Sequence, residues 1–188
     1  MKKVYAFAFS ALVLFSLASI AAGAKKSEGV TDIQAVKKKA FTVIGKEGSG
    51  PSADSSKWTE PLWKEFRTDY AEIKQLVKKD KSGTAGFWGI KSDIDGKFEV
   101  WGGEGIYLAG TEAEEKAEAP AGWVKRKVPE RKYLVVHCSQ DDYDDVYERV
   151  VYEYIPSHYY ELTAEVMEFY PRNSMMDDVY LYFPVKKK

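Results

Sequence analysis

Cysteine, histidine and charge of a prevailing sign are what this sequence has least of. Its single cysteine, Cys138, cannot close an internal disulfide, so the fold must rest on packing and hydrogen bonds. Set in "YLVVHCS", Cys138 alternates with Leu134 and Val136 and reads as a small buried apolar residue, not a nucleophile. The two histidines, His137 and His158, have no metal-ligand or nucleophile–base spacing around them, so no metal is expected. Lys and Arg number 28 against 29 Asp and Glu, a balance that excludes the basic surface of a nucleic-acid binder. Beyond residue 24 there is no apolar run long enough to cross a membrane as a helix.

The one long apolar run comes first. "MKK" is a short basic start, and Val4 to Ile20 is apolar apart from Ser10, Ser16 and Ser19. Ala22-Gly23-Ala24 before Lys25 is the small-x-small pattern that signal peptidase cuts. About 17 residues mixed with serine and alanine fall short of the roughly 20 that a membrane anchor needs. No cysteine follows to carry a lipid. The expectation is a signal peptide over residues 1–24 and an exported product, periplasmic or secreted, without stable membrane insertion after cleavage. The remainder is long enough for one domain with a real core.

Residues 25–39 are polar and lysine-rich and read as a tether. From residue 40 the chain reads as one domain, 40–188. "AFTVIGKEG" is a β-branched strand bounded by glycine, and Ser56 to Lys79 carries a helical stripe of Leu62, Phe66, Ile73, Leu76 and Val77 with Pro61 in its first turn. "GFWGIKSD" and "GIYLAGTEA" follow as strands. The order then restarts. "VPERKYLVVHCS" is a strand, "QDDYDDVYERVVYEYIP" a helix with acids in its first turn, and "YYELTAEVMEFYP" and "DVYLYFPVK" are strands joined by "RNSMMD". Strand–helix–strand–strand thus occurs twice, over about 40–113 and 123–187. The expected class is α+β: one antiparallel sheet, both helices on one face, and a concave cleft on the other.

Alternation assigns the faces. Val179, Leu181, Phe183 and Val185 suit the helix side, which turns Tyr180 and Tyr182 away. Met167 with Phe169, and Ile106 with Leu108, are placed on the helix side by apolarity. That sends Glu168, Tyr170 and Tyr107 to the free face, where Tyr133 joins them by parity. Trp88 and Trp101 stand among glycines that permit bulges, so parity does not assign them. Aromatic residues are abundant, with 13 Tyr, 9 Phe and 5 Trp, and line pockets as readily as cores. A tyrosine-rich face around one carboxylate is equally a solvated sheet face or a ligand hollow.

"FTVIGKEG", "FWGIKSD", "YLAGTEA", "VPERKYLVVHCS", "VYERVVYEYIP", "YYELTAEVMEFYP" and "VYLYFPVK" together resemble the GyrI-like, AraC-type effector-binding domain in order and spacing. The resemblance implies a duplicated fold with a cleft between halves. In relatives fused to transcription regulators, a glutamate in an aromatic pocket binds lipophilic cations, and Glu168 in "MEFY" matches it. Joined to the face that alternation assigns, this gives a candidate ligand set of Glu168, Tyr170, Tyr107, Tyr133, Tyr180 and Tyr182, with Trp88 and Trp101 beside them. No helix-turn-helix segment stands in this sequence, so the regulator role does not carry over.

The leading expectation is an exported protein that captures or senses amphipathic or cationic small molecules. Some stand-alone members of the family hydrolyse strained electrophiles, and Glu168 would then be a general base on water. A third reading is a protein-interaction or inhibitor module using the acidic helix start "QDDYDD". A haem-binding family shares a related duplicated fold, but His137 has no companion ligand, and no cofactor is expected.

Overall fold

The computed structural model describes residues 32–80, 83–84, 86–172 and 177–188; the leader at 1–24, the start of the lysine-rich segment and most of the "RNSMMD" loop lie outside them. In chain order the elements are β1 (Gln34–Lys38), β2 (Phe41–Pro51), α1 (Ser55–Asp69), a short ladder of β3 (Lys79–Asp80) with β4 (Gly83–Thr84), β5 (Gly86–Asp93), β6 (Glu104–Ala113), β7 (Val124–Val128) and β8 (Arg131–Ser139). Then come α2 (Tyr143–Arg149), a π turn (Val150–Tyr154) leading into α3 (Ile155–Ser157), β9 (Tyr160–Leu162), β10 (Met167–Pro171) and β11 (Asp178–Lys187). The units β2–α1–β5–β6 and β8–α2–β10–β11 are the duplicated order read in the sequence, and the class is α+β as expected.

The principal sheet runs β1-β8-β11-β10-β5-β6-β2-β7, with β9 added on β11. Every pairing is antiparallel, and the halves join where β10 pairs β5. Two connections force this sheet to curl. Only Lys39 and Ala40 separate β1, at one edge, from β2 near the other, and only Pro129 and Glu130 separate β7 from β8. In a flat sheet β1 and β6 would lie five strand spacings apart, about 24 Å. Instead Lys38 on β1 binds Glu112 on β6 at 2.6 Å. The sheet is therefore rolled into a near-barrel, and both of its faces are buried.

Both helices cover the outer face. Trp63 and Phe66 of α1, with Val150 and Ile155 of the second helical segment, pack there against Ile44, Leu134, Val136, Leu181 and Phe183. The rolled interior holds Phe41, Val43, Trp88, Ile90, Leu108, Tyr133, Val135 and Met167, with Phe169, Tyr180 and Tyr182 against them. The ring of Trp88 lies 5.0 Å from Phe41, 4.8 Å from Phe169 and 4.9 Å from Tyr182, centroid to centroid.

Several elements differ from the sequence reading: β7 is a separate strand before β8, and "YYELTAEVMEFYP", read as one strand, is β9 and β10. Gln34–Lys38, read as tether, is the edge strand β1 on β8; its lysines are the charges that blunt an edge against further pairing, and they masked its strand character. Helix α1 ends at Asp69, and a 3-10 turn over Tyr70–Glu72 takes the chain on, although Ile73 and Val77 are buried as their spacing predicts. Pro156 does not stop the second helix. It has no N–H to donate, and the wider π turn precedes it before the helix closes at Ser157.

The Tyr133 side chain is 1% exposed, and its hydroxyl has no hydrogen-bond partner among the described residues. Burial pushes this phenol up to about 12. Leaving a buried hydroxyl unpaired costs on the order of 1–3 kcal/mol. Tyr133→Phe is accordingly expected to stabilise the fold by about 1 kcal/mol, read as a higher urea midpoint at unchanged slope.

Candidate functional site

Strand register decides which side chains meet. Glu168 on β10 stands opposite Leu181 on β11 and Gly89 on β5, while Tyr107 on β6 stands opposite Lys91 on β5. Directly paired residues share a face, so Glu168, Tyr170, Tyr107 and Lys91 all lie on the helix side with Leu181. This corrects the expectation that Glu168, Tyr170 and Tyr107 occupy a face free of helices. Tyr133, Tyr180 and Tyr182 do face away from the helices, as alternation predicts, but into the rolled interior together with Trp88. They do not meet Glu168. Trp101 lies to one side, its ring 5.9 Å from Lys91 Nζ and 5.9 Å from the Trp58 ring. The assignment of β6 and β10 failed because a strand buried on both faces is apolar on both, and alternation then carries no direction.

Between α1 and α2, over β5, β6 and β10, lies a cavity of about 550 Å³. Its floor is the buried set Trp63, Tyr107, Glu168 and Tyr170, with Lys91 half-buried among them. Its rim carries exposed charges: Glu60 and Arg67 from α1, and Asp144 from α2. The acidic start of α2, read as a docking surface in one expectation, thus contributes Asp144 to this rim.

Glu168 is 7% exposed, and each of its oxygens takes two donors. Lys91 Nζ reaches Oε1 at 2.7 Å and the Tyr143 hydroxyl donates to it at 2.9 Å. The Tyr107 and Tyr170 hydroxyls donate to Oε2 at 2.6 and 3.1 Å. A carboxylate offers about four lone-pair sites, so this one is saturated. Behind it, the Trp63 indole N–H donates to the Tyr107 hydroxyl at 3.0 Å, linking α1 to the cluster. Gly89 makes the close approach feasible: a Cβ there would stand 2.1 Å from the Tyr107 hydroxyl and 2.6 Å from Glu168 Oε2.

Electrostatics follow from that geometry. Burial alone would raise the Glu168 carboxyl, but the Lys91 ammonium and the phenol hydrogen bonds outweigh it and hold Glu168 below the usual carboxylate range. Burial opposes the charge on Lys91 too, and the adjacent carboxylate overrides it, pushing the ammonium well above its ordinary value. Burial and the charge of Glu168 push the phenols of Tyr107, Tyr143 and Tyr170 upward, so they remain neutral donors. The floor at neutral pH therefore carries one anion, one cation and three neutral hydroxyls.

Sequence reasoning singled out Glu168, Tyr170 and Tyr107 from this cluster and missed Lys91, Tyr143 and Trp63. Tyr143 sits on the apolar stripe of the second helix and looked like core, while Trp63 lay beside the stripe read for the first helix and was assigned no role. Lys91 had a signal: it is the first charge in "GFWGIKSD", following five residues that are all apolar or glycine. His137 lies outside the cleft, exposed, 3.3 Å from Asp178, with its ring 4.8 Å from that of Tyr180 at a tilt of 41°.

The ion pair predicts an acid limb to stability. A carboxyl held below its unfolded value of 4.5 stabilises the fold above that pH and ceases to as pH falls through its folded value. Urea unfolding of wild type should weaken below this range, with a shallower acid slope in Glu168→Gln. At neutral pH the same variant is expected to lose about 3–5 kcal/mol, because Lys91 is left without its counter-charge.

A family model described as an integron-associated effector binding protein matches residues 34–185. No curated protein sequence is significantly similar to the chain. Among solved structures, SAV2435 bound to tetraphenylphosphonium superposes with a TM-score of 0.63 at 15% identity, over 82% of this chain and 94% of that one. An integron cassette protein from the mobile metagenome of Vibrio cholerae gives 0.56 at 16% identity, over 83% and 97%. The C-terminal domain of EcmrR gives 0.55 at 15%, over 83% and 99%. At such identities the structures testify to the fold, while the family model spans nearly the whole of it, and the chain belongs to the integron-associated effector-binding protein family, with a GyrI-like effector-binding domain.

Proposed function

We propose that this protein is an exported small-molecule-binding protein, and that the cleft between α1 and α2 takes an amphipathic ligand with a positively charged group, read by Glu168. The observation that carries this is a buried, ionised carboxylate at the floor of an aromatic cavity. The rings of Trp63, Tyr107, Tyr143 and Tyr170 line the same space. Each ring face adds on the order of 0.5–2 kcal/mol of cation–π attraction. A volume of about 550 Å³ suits a ligand of drug-like size. SAV2435, which shares the fold, is a protein seen with a lipophilic cation bound. Export is supported by the basic start, apolar run and Ala22-Gly23-Ala24 of the leader.

The electrostatics favour binding over hydrolysis. A general base works best with a proton affinity near neutrality, and Glu168 is held on the other side of its ordinary value. Its lone pairs are also filled by four donors, leaving none aimed at a water.

Titration of the folded protein with quaternary ammonium and phosphonium amphiphiles, followed by tryptophan fluorescence and calorimetry, tests the site. Glu168→Gln, checked for native near-ultraviolet dichroism, should weaken binding by at least about tenfold, the effect of roughly 1.4 kcal/mol. Equal affinity in both proteins would refute the role of the carboxylate. Mass spectrometry of the full chain expressed in a bacterium should find a periplasmic product beginning at Lys25. Intact protein confined to the cytoplasm would refute export.

A further inference from the structure

The carboxylate that a cationic ligand would seek already holds a cation. Lys91 Nζ sits 2.7 Å from Glu168 Oε1, and the three phenols fill the remaining acceptor sites. The phenols are fixed by their packing on β6, β10 and α2, whereas Lys91 is a flexible stem, so a ligand reaching Glu168 competes with Lys91. A lone cation that wins leaves two positive charges against one carboxylate in a buried site. Charge without a partner there is costly. Glu165, whose charge also acts on Lys91, is engaged by the Trp101 backbone N–H at 2.9 Å and does not line the cleft.

An ammonium has three donors. On Lys91 one meets Glu168 and a second approaches the Tyr143 hydroxyl at 3.4 Å, while the third has no partner among the described residues. Lys91 also lines the cavity directly. It is thus placed to hold an anionic group entering the cleft.

Resting on the reading of this cleft as the ligand site, we infer that Lys91 makes it selective for zwitterionic amphiphiles. The ligand's cation pairs with Glu168 and its anion with Lys91, so one internal ion pair is exchanged for two, and the buried net charge stays at zero. A lipophilic cation without an anionic group is disfavoured by the same residue. Lys91 is therefore the specificity determinant of this pocket.

A matched pair of probes separates the cases. Benzyltrimethylammonium is a permanent cation, and N-benzyl-N,N-dimethylglycine adds one carboxylate to the same frame. Calorimetry at neutral pH and low salt is run on wild type, Lys91→Met, Lys91→Gln and Glu168→Gln. The glutamine at position 91 retains a donor without its charge, in case the methionine variant folds poorly. Wild type should bind the zwitterion at least about tenfold more tightly than the cation. Both Lys91 variants should reverse that order, gaining affinity for the cation and losing it for the zwitterion. Equal affinities in wild type, or an order unchanged by substitution at Lys91, would overturn the inference while leaving the cleft as the ligand site. No saturable binding of either probe to any of the proteins, or binding indifferent to Glu168→Gln, would overturn both readings together.

Discussion

One buried negative charge organises this molecule. Carrying Glu168 out of water costs several kcal/mol unless donors replace its hydration. Four do, and they come from four different elements: Lys91 on β5, Tyr107 on β6, Tyr143 on α2 and Tyr170 beside it on β10. Lys91 and Tyr107 belong to the first half-repeat, and Glu168, Tyr143 and Tyr170 to the second. The cluster is thus a polar joint across the junction where β5 pairs β10. Trp63, bonded through Tyr107, attaches α1 to the same joint. Helix positions, strand register and cavity shape are all tied to keeping one carboxylate ionised.

That constraint explains a local oddity of sequence. Gly89 stands directly opposite Glu168 in the sheet, and the space its missing side chain leaves is filled by the Tyr107 hydroxyl. A strand interior rarely gains from glycine, since nothing packs and entropy is lost. Here the vacancy admits the shortest of the hydrogen bonds to the carboxylate, and the cavity floor would be filled otherwise.

How much of this was legible depended on what each face of the sheet met. In β11 and β8 the branched and aliphatic residues gather on one side, so Leu181, Phe183, Leu134 and Val136 were assignable to the helix face, and Tyr133, Tyr180 and Tyr182 to the other. Around β10, Met167 and Phe169 compete with Tyr170 and with Val166 just before the strand on nearly equal terms, and in β6 Leu108 competes with Tyr107. Alternation has no answer when the sheet rolls until both faces are dry. The two-residue joins that force the roll are hidden for different reasons: Lys39-Ala40 because the lysines of β1 concealed its strand character, and Pro129-Glu130 because it lies inside "VPERKYLVVHCS", read as one strand. Resemblance, not periodicity, singled out Glu168. Neither pointed to Lys91, because the motif that carried the resemblance centred on Glu168, and alternation gives no partner across strands.

The Lys91 partner bears on how the cavity would discriminate among ligands. A carboxylate left open in an aromatic cavity would be a promiscuous trap, since cation–π attraction and flat stacking accept many shapes. With Lys91 in place the empty cavity is electrically satisfied, and a ligand must offer more than it displaces. Exchange of partners within an ion pair is demanding of geometry, because two ligand groups must reach two neighbouring charges, Glu168 and Lys91, that pair at 2.7 Å. Aromatic walls supply affinity with little shape discrimination, whereas the paired floor supplies discrimination with little net affinity. Under the function proposed above, such a combination would restrict the cavity to a narrow class of charged amphiphiles, where aromatic walls alone would discriminate little.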